Sequence, residues 1–349
     1  MNKKKVLIIT IVGLIALAAL LLFLLLPVKK QENSRKFEIK KAELAPIKER
    51  IKIDIHRYEM DLFSLDMNRL AEGVQRLSSI YPENLIEKGV WEDSLMMRGL
   101  KFYLQDPVIK EIYEKTVRTY PSLDTLTFTF EDAFALYLYY YPEAKIPTFY
   151  TVVPGIDYSL PSVYAYNDDI FILLDMYLGA NYKMYDQAGI PKYISERAES
   201  KYIATDCFKK ALVYRHLPEK TKLTLLDNMI EEGKKLYFTE LMLPKVPARD
   251  IIAYNETKYE WAVQHQKEVW NYIIGKNQLF SKDEKEVLTY IHEAPFTPAF
   301  TNQSPGRIGA FIGWKIVQGF MENNPDISLD EMMQMTNSQD ILNKSKYKP

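Results

Sequence analysis

Residues 148–174 read TFYTVVPGIDYSLPSVYAYNDDIFILL, and this stretch decides the fold class. Three short runs within it, at residues 148–153, 163–166 and 170–174, are rich in aromatic and β-branched side chains. Proline, glycine, asparagine and aspartate separate the runs, which is typical of short strands joined by tight connections. We therefore expect a small antiparallel sheet in this part of the chain.

Upstream of this stretch, two local patterns are informative. Isoleucines at residues 51, 53 and 55 alternate with polar side chains, which predicts one further half-buried strand. Asp106 and Pro107 supply an N-cap and a first-turn proline, so a helix is expected to begin there.

From Ala198 onward the apolar spacing is helical. Helices are predicted over residues 206–217, 222–242, 258–274 and 308–321, and capping boxes are predicted at Ser281-x-x-Glu284 and Ser328-x-x-Glu331. Few strands among many helices, without alternation of strand and helix, predict an α+β body. We expect it to be mostly helical, with the small antiparallel sheet packed on a helical layer.

The N-terminal segment predicts a membrane anchor. Val6 to Leu26 contain no charged residue and are long enough to cross a bilayer. A cleaved signal peptide has a shorter apolar stretch, of about 7 to 15 residues, followed by small residues. We expect residues 1–28 to be an uncleaved transmembrane anchor, residues 29–49 a charged stalk, and residues 50–349 a single globular body.

Charge and cysteine content exclude several classes of function. The chain has a net charge of -1, and residues 1–28 contribute three lysines and no acid, so the remainder is acidic. Non-specific nucleic-acid binding is therefore not expected. The single cysteine, Cys207, excludes an intramolecular disulfide and a multi-cysteine metal site.

The four histidines give no catalytic, cofactor or metal site by their spacing. His56 is expected to face solvent from a strand, and His216 to cap a helix end. His265 lies three residues before Glu268, which we interpret as a solvated helix face. His292-Glu293 begins like the zinc motif His-Glu-x-x-His, but Phe296 stands in place of the second histidine.

Two further patterns single out residues 231–233 and 305–317. Glu231-Glu232-Gly233 is interpreted as surface charge beside a glycine that permits close packing. Gly306, Gly309 and Gly313 recur three and four residues apart, which predicts one helical face packed closely against a neighbour. Arg307 is poorly placed for the dipole of that helix, so we expect it to pair with a carboxylate or to reach a partner. It is the candidate interaction residue.

Several stretches resemble the gliding-motility protein GldB family of the Bacteroidetes cell envelope. They are Asp175–Gly179, residues 225–230 and 233–238, Ala294-Pro295-Phe296, Pro305–Val317 and Ser345–Pro349. The resemblance implies an exported envelope protein without established enzymatic activity, whose partners are other envelope proteins of a gliding or secretion apparatus. For the single-pass anchor predicted above, the resemblance implies a body on the periplasmic side, although the lysines after the anchor favour the opposite orientation. Relatives are typically lipoproteins, whereas this chain has no cysteine near residue 20.

The layout is also distantly similar to a family of predicted zinc-dependent proteases. In those proteins a His-Glu-x-x-His helix is followed by Glu-Gly on the next helix. The corresponding helix here, residues 206–217, lacks both histidines and the glutamate, and Glu232 alone cannot hold catalytic zinc. The resemblance implies a degenerate, zincin-like fold that has lost its chemistry.

The sequence is compatible with two functions. The first is a membrane-anchored envelope protein that acts by protein–protein interaction without catalysis. The second is a carboxylate-dependent hydrolase or protease relative with a cleft near Glu232. A buried cluster of acids with perturbed pKa values would favour the enzyme, whereas a flat apolar patch would favour the binding protein.

Overall fold

The computed structural model describes residues 41–219 and 224–349, which belong to one compact unit. The predicted anchor, including the apolar residues 6–26, and the first part of the predicted stalk lie outside the described residues. Within the described ranges, no helix is both long enough and apolar enough to cross a membrane.

Four strands and a larger set of helices make up the described part of the chain. The strands are β1 (Ile55–Arg57), β2 (Phe149–Val152), β3 (Val163–Tyr166) and β4 (Asp169–Leu173). The helices before β2 are α1 (Lys41–Lys48), α2 (Tyr58–Phe63), α3 (Leu70–Leu77), α4 (Ser94–Gln105), α5 (Pro107–Thr119) and α6 (Asp124–Tyr140). After β4 come α7 (Lys183–Gln187), α8 (Lys192–Ser195), α9 (Tyr202–Asp206), α10 (Leu225–Met242), α11 (Ala248–Ile252), α12 (Glu256–Gln264), α13 (Gln266–Gly275), α14 (Glu284–Ile291), α15 (Ile308–Asn323), α16 (Leu329–Gln334) and α17 (Ser338–Ser345).

The sheet is mixed, so the prediction of an antiparallel sheet was wrong. Its strand order is β1-β2-β4-β3, and β1, β2 and β4 run parallel. Only β3 and β4 are antiparallel, as a hairpin whose tight turn has Asn167 in the left-handed region at φ 52°. Because the hairpin inserts β4 between β2 and β3, β4 pairs with β2 in the parallel direction. The first strand covers residues 55–57 and not the predicted 51–55.

Both faces of the sheet are covered. Ile170 and Ile172 of β4 face the main core, in which Phe130 of α6 stacks on Phe149 with ring centroids 4.3 Å apart. Phe171, between them, faces a smaller core built with helices α2 to α4. Burial on both faces explains why the β4 sequence is continuously apolar and does not alternate with polar residues.

Helices α10 and α15 pack with their backbones in contact. A Cβ atom built at Gly313 would lie 1.7 Å from the carbonyl oxygen of Met229, and one built at Gly233 would lie 2.3 Å from that of Gly313. Gly309 instead faces α14, where an added Cβ would lie 3.0 Å from the Tyr290 Cβ. The prediction of close packing is confirmed. The glycines do not share one face, however, because Gly313 contacts α10 and Gly309 contacts α14.

Local helix signals succeeded where the cap was unambiguous. Asp106 accepts hydrogen bonds from the amides of Val108 and Ile109 at 2.7 and 3.1 Å, and Ser328 forms the predicted capping box. The box predicted at Ser281 was wrong, because Asp283 caps a helix that begins at Glu284.

Two predicted segments have different boundaries in the structure. The helix predicted over residues 258–274 is divided at His265 into α12 and α13. The predicted charged stalk, residues 29–49, ends in helix α1, whose Leu44 packs against the main core and whose Lys48 pairs with Asp132. The structured body therefore includes residues that we had expected to be solvated.

Candidate functional site

A cavity of about 540 Å³ lies between the segment after β4 and helices α8, α9, α10 and α14. This volume falls within the range of about 300 to 1,000 Å³ that is usual for small-ligand sites. Charged side chains of both signs line it: Arg197, Asp206, Lys209, Lys210, Glu231, Glu232, Lys235, Glu293 and Arg307. We refer to it as the charged cavity.

The contact between α10 and α15 positions the centre of this cavity. Glu232 directly precedes Gly233, and Arg307 is the residue before the first turn of α15, in the left-handed region at φ 57°. Since the glycine contact fixes the two helices at their closest approach, it also fixes Arg307 beside Glu232. The Arg307 Nη2 donates to Glu232 Oε2 over 2.8 Å.

Five side chains form a continuous chain of alternating charge, here called the ion-pair chain. Its order is Lys235, Glu232, Arg307, Glu293 and Arg197. Lys235 Nζ lies 2.8 Å from Glu232 Oε1, and Arg307 Nη1 lies 3.2 Å from Glu293 Oε1. Arg307 thus bridges two carboxylates with separate nitrogens, and its side chain is only 8% exposed.

The cations hold both carboxylates of this chain in their ionised form. Burial alone would raise the pKa of Glu232, but Lys235 and Arg307 outweigh it and lower that pKa to about 2. Burial opposes ionisation of Glu293 as well, and there Arg307 and Arg197 lower the pKa to about 2. The pKa of Arg307 is raised by Glu293 and Glu232 against the effect of burial. At neutral pH neither carboxyl has a proton to donate.

A second group, the lysine cluster, consists of Asp206, Lys209 and Lys210. Lys210 Nζ lies 2.8 Å from Asp206 Oδ2, and Lys209 Nζ lies 3.8 Å from Asp206 Oδ1. Lys209 also donates to the carbonyl oxygen of Ile251 over 2.9 Å. Burial lowers the pKa of Lys209 to about 7, because the attraction of Asp206 offsets only part of the cost of burying the charge.

The backbone of the lysine cluster is not a regular α-helix. The predicted helix 206–217 is found as the end of α9, a π-helical segment at Cys207–Ala211 and a 3-10 segment at Leu212–His216. The π-helical segment carries Lys209 and Lys210, and both side chains line the charged cavity. Such π-helical segments are rare and frequently lie at functional sites.

The residues in this segment do not fit a zinc site. Asp206 and Lys210, four residues apart, form a salt bridge on the helix that corresponds to the protease motif. Glu232 is held by two cations. Within residues 41–219 and 224–349, no three His, Cys, Asp or Glu side chains are grouped so that they could hold a metal ion. That the protein binds no metal or cofactor stays a prediction.

The histidines differ from their predicted roles in two cases. His216 is buried, shares a hydrogen bond of 2.9 Å with the Tyr137 hydroxyl, and has its pKa lowered to about 4 by burial. It is therefore neutral, and the prediction that it caps a helix end as a cation was wrong. His56 is half-buried and stacks on Tyr150, so it is not simply solvent-facing.

The other two histidines lie elsewhere. His265 stacks on Trp261 at the break between α12 and α13, with ring centroids 4.3 Å apart. His292 lines the charged cavity next to Glu293. Of the four histidines, His292 alone lines the charged cavity.

The structure agrees with one expected role of Arg307 and disagrees with the interpretation of Glu232. Arg307 pairs with carboxylates, which was one of its two expected roles, and its part in partner binding stays a prediction. The interpretation of Glu232 as surface charge was wrong, because its side chain is 18% exposed and lines the cavity. Sequence reasoning missed Arg197, Lys209 and Lys210. Two adjacent lysines between Phe208 and Ala211, in an otherwise apolar run, were the one signal that could have found two of them.

Comparison with known proteins identifies the family. No curated protein and no solved structure matches the chain. A family model described as gliding motility protein GldB matches residues 38–349, which include the whole sheet and the charged cavity. This match confirms the resemblance seen in the sequence and covers far more than half of the chain. The chain therefore belongs to the GldB family of gliding motility proteins.

Proposed function

We propose that this protein acts in the gliding motility apparatus as a membrane-anchored component that binds other envelope proteins and performs no catalysis. Membership of the GldB family implies a gliding-related protein of the cell envelope. The anchor at residues 6–26 and a body on the periplasmic side are part of the same proposal. They rest on the uncharged N-terminal run and on the envelope role of the family.

The observation that carries the non-catalytic role is the ion-pair chain. A general acid needs a pKa near the working pH, and hydrolases achieve this by raising the pKa of a carboxyl group. Glu232 and Glu293 show the opposite, with pKa values lowered to about 2 by neighbouring cations. A carboxylate with so low a pKa is also a weak base. A cleft does exist near Glu232, but the two carboxylates of the ion-pair chain in it favour recognition over proton transfer.

A complementation experiment tests this role. In a gliding bacterium that lacks its own GldB protein, the full-length chain should restore colony spreading. Glu232→Gln should retain most of that activity, because the amide oxygen can still accept a hydrogen bond from one of the two cations, while Glu293 and Glu231 remain as counter-charges for Arg307 and Lys235. An enzyme that relied on Glu232 for acid–base catalysis would lose roughly 10² to 10⁴ in rate with the same substitution.

The matched control is Glu260→Gln, which alters an exposed glutamate on α12. Envelope from the same cells, solubilised with the anchor intact, should yield the same captured proteins with wild type and with Glu232→Gln. Loss of spreading by a folded, normally abundant Glu232→Gln protein that still captures those partners would contradict the non-catalytic role.

A further inference from the structure

The two charged groups of the cavity differ in their balance. Among the described residues in and beside the ion-pair chain, three cations face three carboxylates: Lys235, Arg307 and Arg197 against Glu231, Glu232 and Glu293. The lysine cluster instead sets Lys210 and Lys209, of which Lys209 has a pKa lowered by burial to about 7, against the single carboxylate of Asp206. Among the described residues, the lysine cluster is therefore where a further negative charge would be stabilised, and such a charge would also keep Lys209 protonated.

Burial makes this imbalance costly. Asp206 and Lys209 are 7% and 5% exposed, so water does little to stabilise an extra positive charge between them. A buried charge without a counter-charge destabilises the folded state, and lysine is seldom fully buried unless it is paired. A bound anion would supply the missing counter-charge.

Hydrogen-bond donors remain on the cavity wall. Lys210 uses two of its three N–H groups, on Ser162 and Asp206. The Arg197 guanidinium has five N–H groups and, among the described residues, donates to Glu293 alone. Both side chains are partly exposed, at 43% and 25%, and both line the cavity, so an entering ligand can reach them.

The rest of the wall is partly apolar. Aliphatic side chains from α8, α14 and the loop before α8 line the same space: Ile190, Ile194, Val287, Leu288 and Ile291. A simple inorganic anion would leave this surface uncovered. A ligand that carries an aliphatic body beside its negative group would use both kinds of wall.

We propose that the charged cavity binds a small amphipathic carboxylate, with the carboxylate at Lys210 and Lys209 and the aliphatic part against Ile194 and Leu288. The C-terminal residues of a peptide and a free short-chain fatty acid share this chemistry. The inference rests on the proposed non-catalytic role, since it takes the cavity to be a recognition site.

Calorimetric titration of the full chain, held in nanodiscs of neutral phosphatidylcholine with empty nanodiscs as the blank, tests the proposal. The probes are N-acetyl-leucyl-leucine, the same dipeptide with a C-terminal amide, and hexanoate. The free carboxylate of the dipeptide should bind at least tenfold more tightly than the amide. Lys210→Met should weaken binding of the carboxylate at least tenfold, whereas Lys110→Met, on the exposed face of α5, should not change it.

Each outcome has a defined reading. Tighter binding of the dipeptide than of hexanoate identifies a peptide C-terminus, and the reverse order identifies a fatty acid. Equal binding of the acid and the amide, an unchanged affinity in folded Lys210→Met, or no binding of either carboxylate overturns the inference, even if capture of envelope proteins persists. Binding followed by release of free leucine would support the ligand class and contradict the non-catalytic role.

Discussion

The contact between α10 and α15 and the charged cavity are adjacent, yet they are built on opposite principles. At Gly233 the two backbones touch and no side chain fits between them. One residue earlier, Glu232 faces a space of about 540 Å³ and is held by charge. One helix pair can therefore exclude volume at one position and depend on ion pairing at the next. Substitutions along it should therefore fail for different reasons.

The largest effect is expected from Gly313→Ala, which tests the volume-excluding side. Its new Cβ would lie 1.7 Å from the Met229 carbonyl oxygen, so the helices must separate. We expect a loss of about 3 kcal/mol or more in the free energy of unfolding, measured by urea denaturation.

Gly99→Ala is the matched control, because nothing lies within 4 Å of a Cβ built at this position in α4. It should stabilise the protein by about 0.5 to 1 kcal/mol through the better helix propensity of alanine. Similar losses in the free energy of unfolding for Gly313→Ala and Gly99→Ala would show that contact with a neighbouring backbone does not determine the cost of substituting a helix glycine.

Arg307→Ala tests the charge-dependent side and should have the next largest effect. It removes the cation shared by Glu232 and Glu293, and we expect the free energy of unfolding to fall by about 3 kcal/mol. Arg307→Lys should lose less, since it keeps the charge but cannot bridge two carboxylates through separate nitrogens. An unchanged melting temperature for Arg307→Ala would show that Lys235 and Arg197 satisfy the carboxylates without it.

The smallest effect, in Lys209→Met, depends on pH. Native Lys209 titrates near pH 7, whereas an unfolded lysine titrates near 10.5, so the unfolded chain binds more protons between these values. Stability from this group therefore rises with pH across that window, and below pH 7 the cost of burying the charge is complete. Wild type should gain at least about 1 kcal/mol relative to Lys209→Met between pH 7 and pH 9, measured by urea unfolding. A constant difference across these pH values would show that Lys209 keeps its ordinary pKa.

Features that depend on neighbouring residues in the chain could be predicted from the sequence. The cap at Asp106, the box at Ser328 and the strand content of residues 148–174 all rest on interactions within a few residues. The box at Ser281 failed for the same local reason, because Asp283 offers a competing cap two residues later.

Features that join distant parts of the chain could not be predicted. The pattern of β2 is equally compatible with parallel and antiparallel neighbours, so its direction relative to β4 depends on where the β3–β4 hairpin lies. The burial of Glu232 likewise depends on Arg307, 75 positions away. A single sequence contains both residues, but no periodicity links them. The cavity was anticipated only as a cleft near Glu232, without the lysines that give it its charge.

The pairing of β1 with β2 bears on the order in which the chain folds. Ile55 to Arg57 are synthesised early, but their parallel partners are Phe149 to Thr151, beyond helices α2 to α6. A chain synthesised from its N-terminus must therefore hold β1 without a partner until those helices have also been made. Such distant pairings slow folding and leave strand edges exposed in the interval. Synthesis in this order thus gives the protein a vulnerable period, during which a chaperone would be most effective.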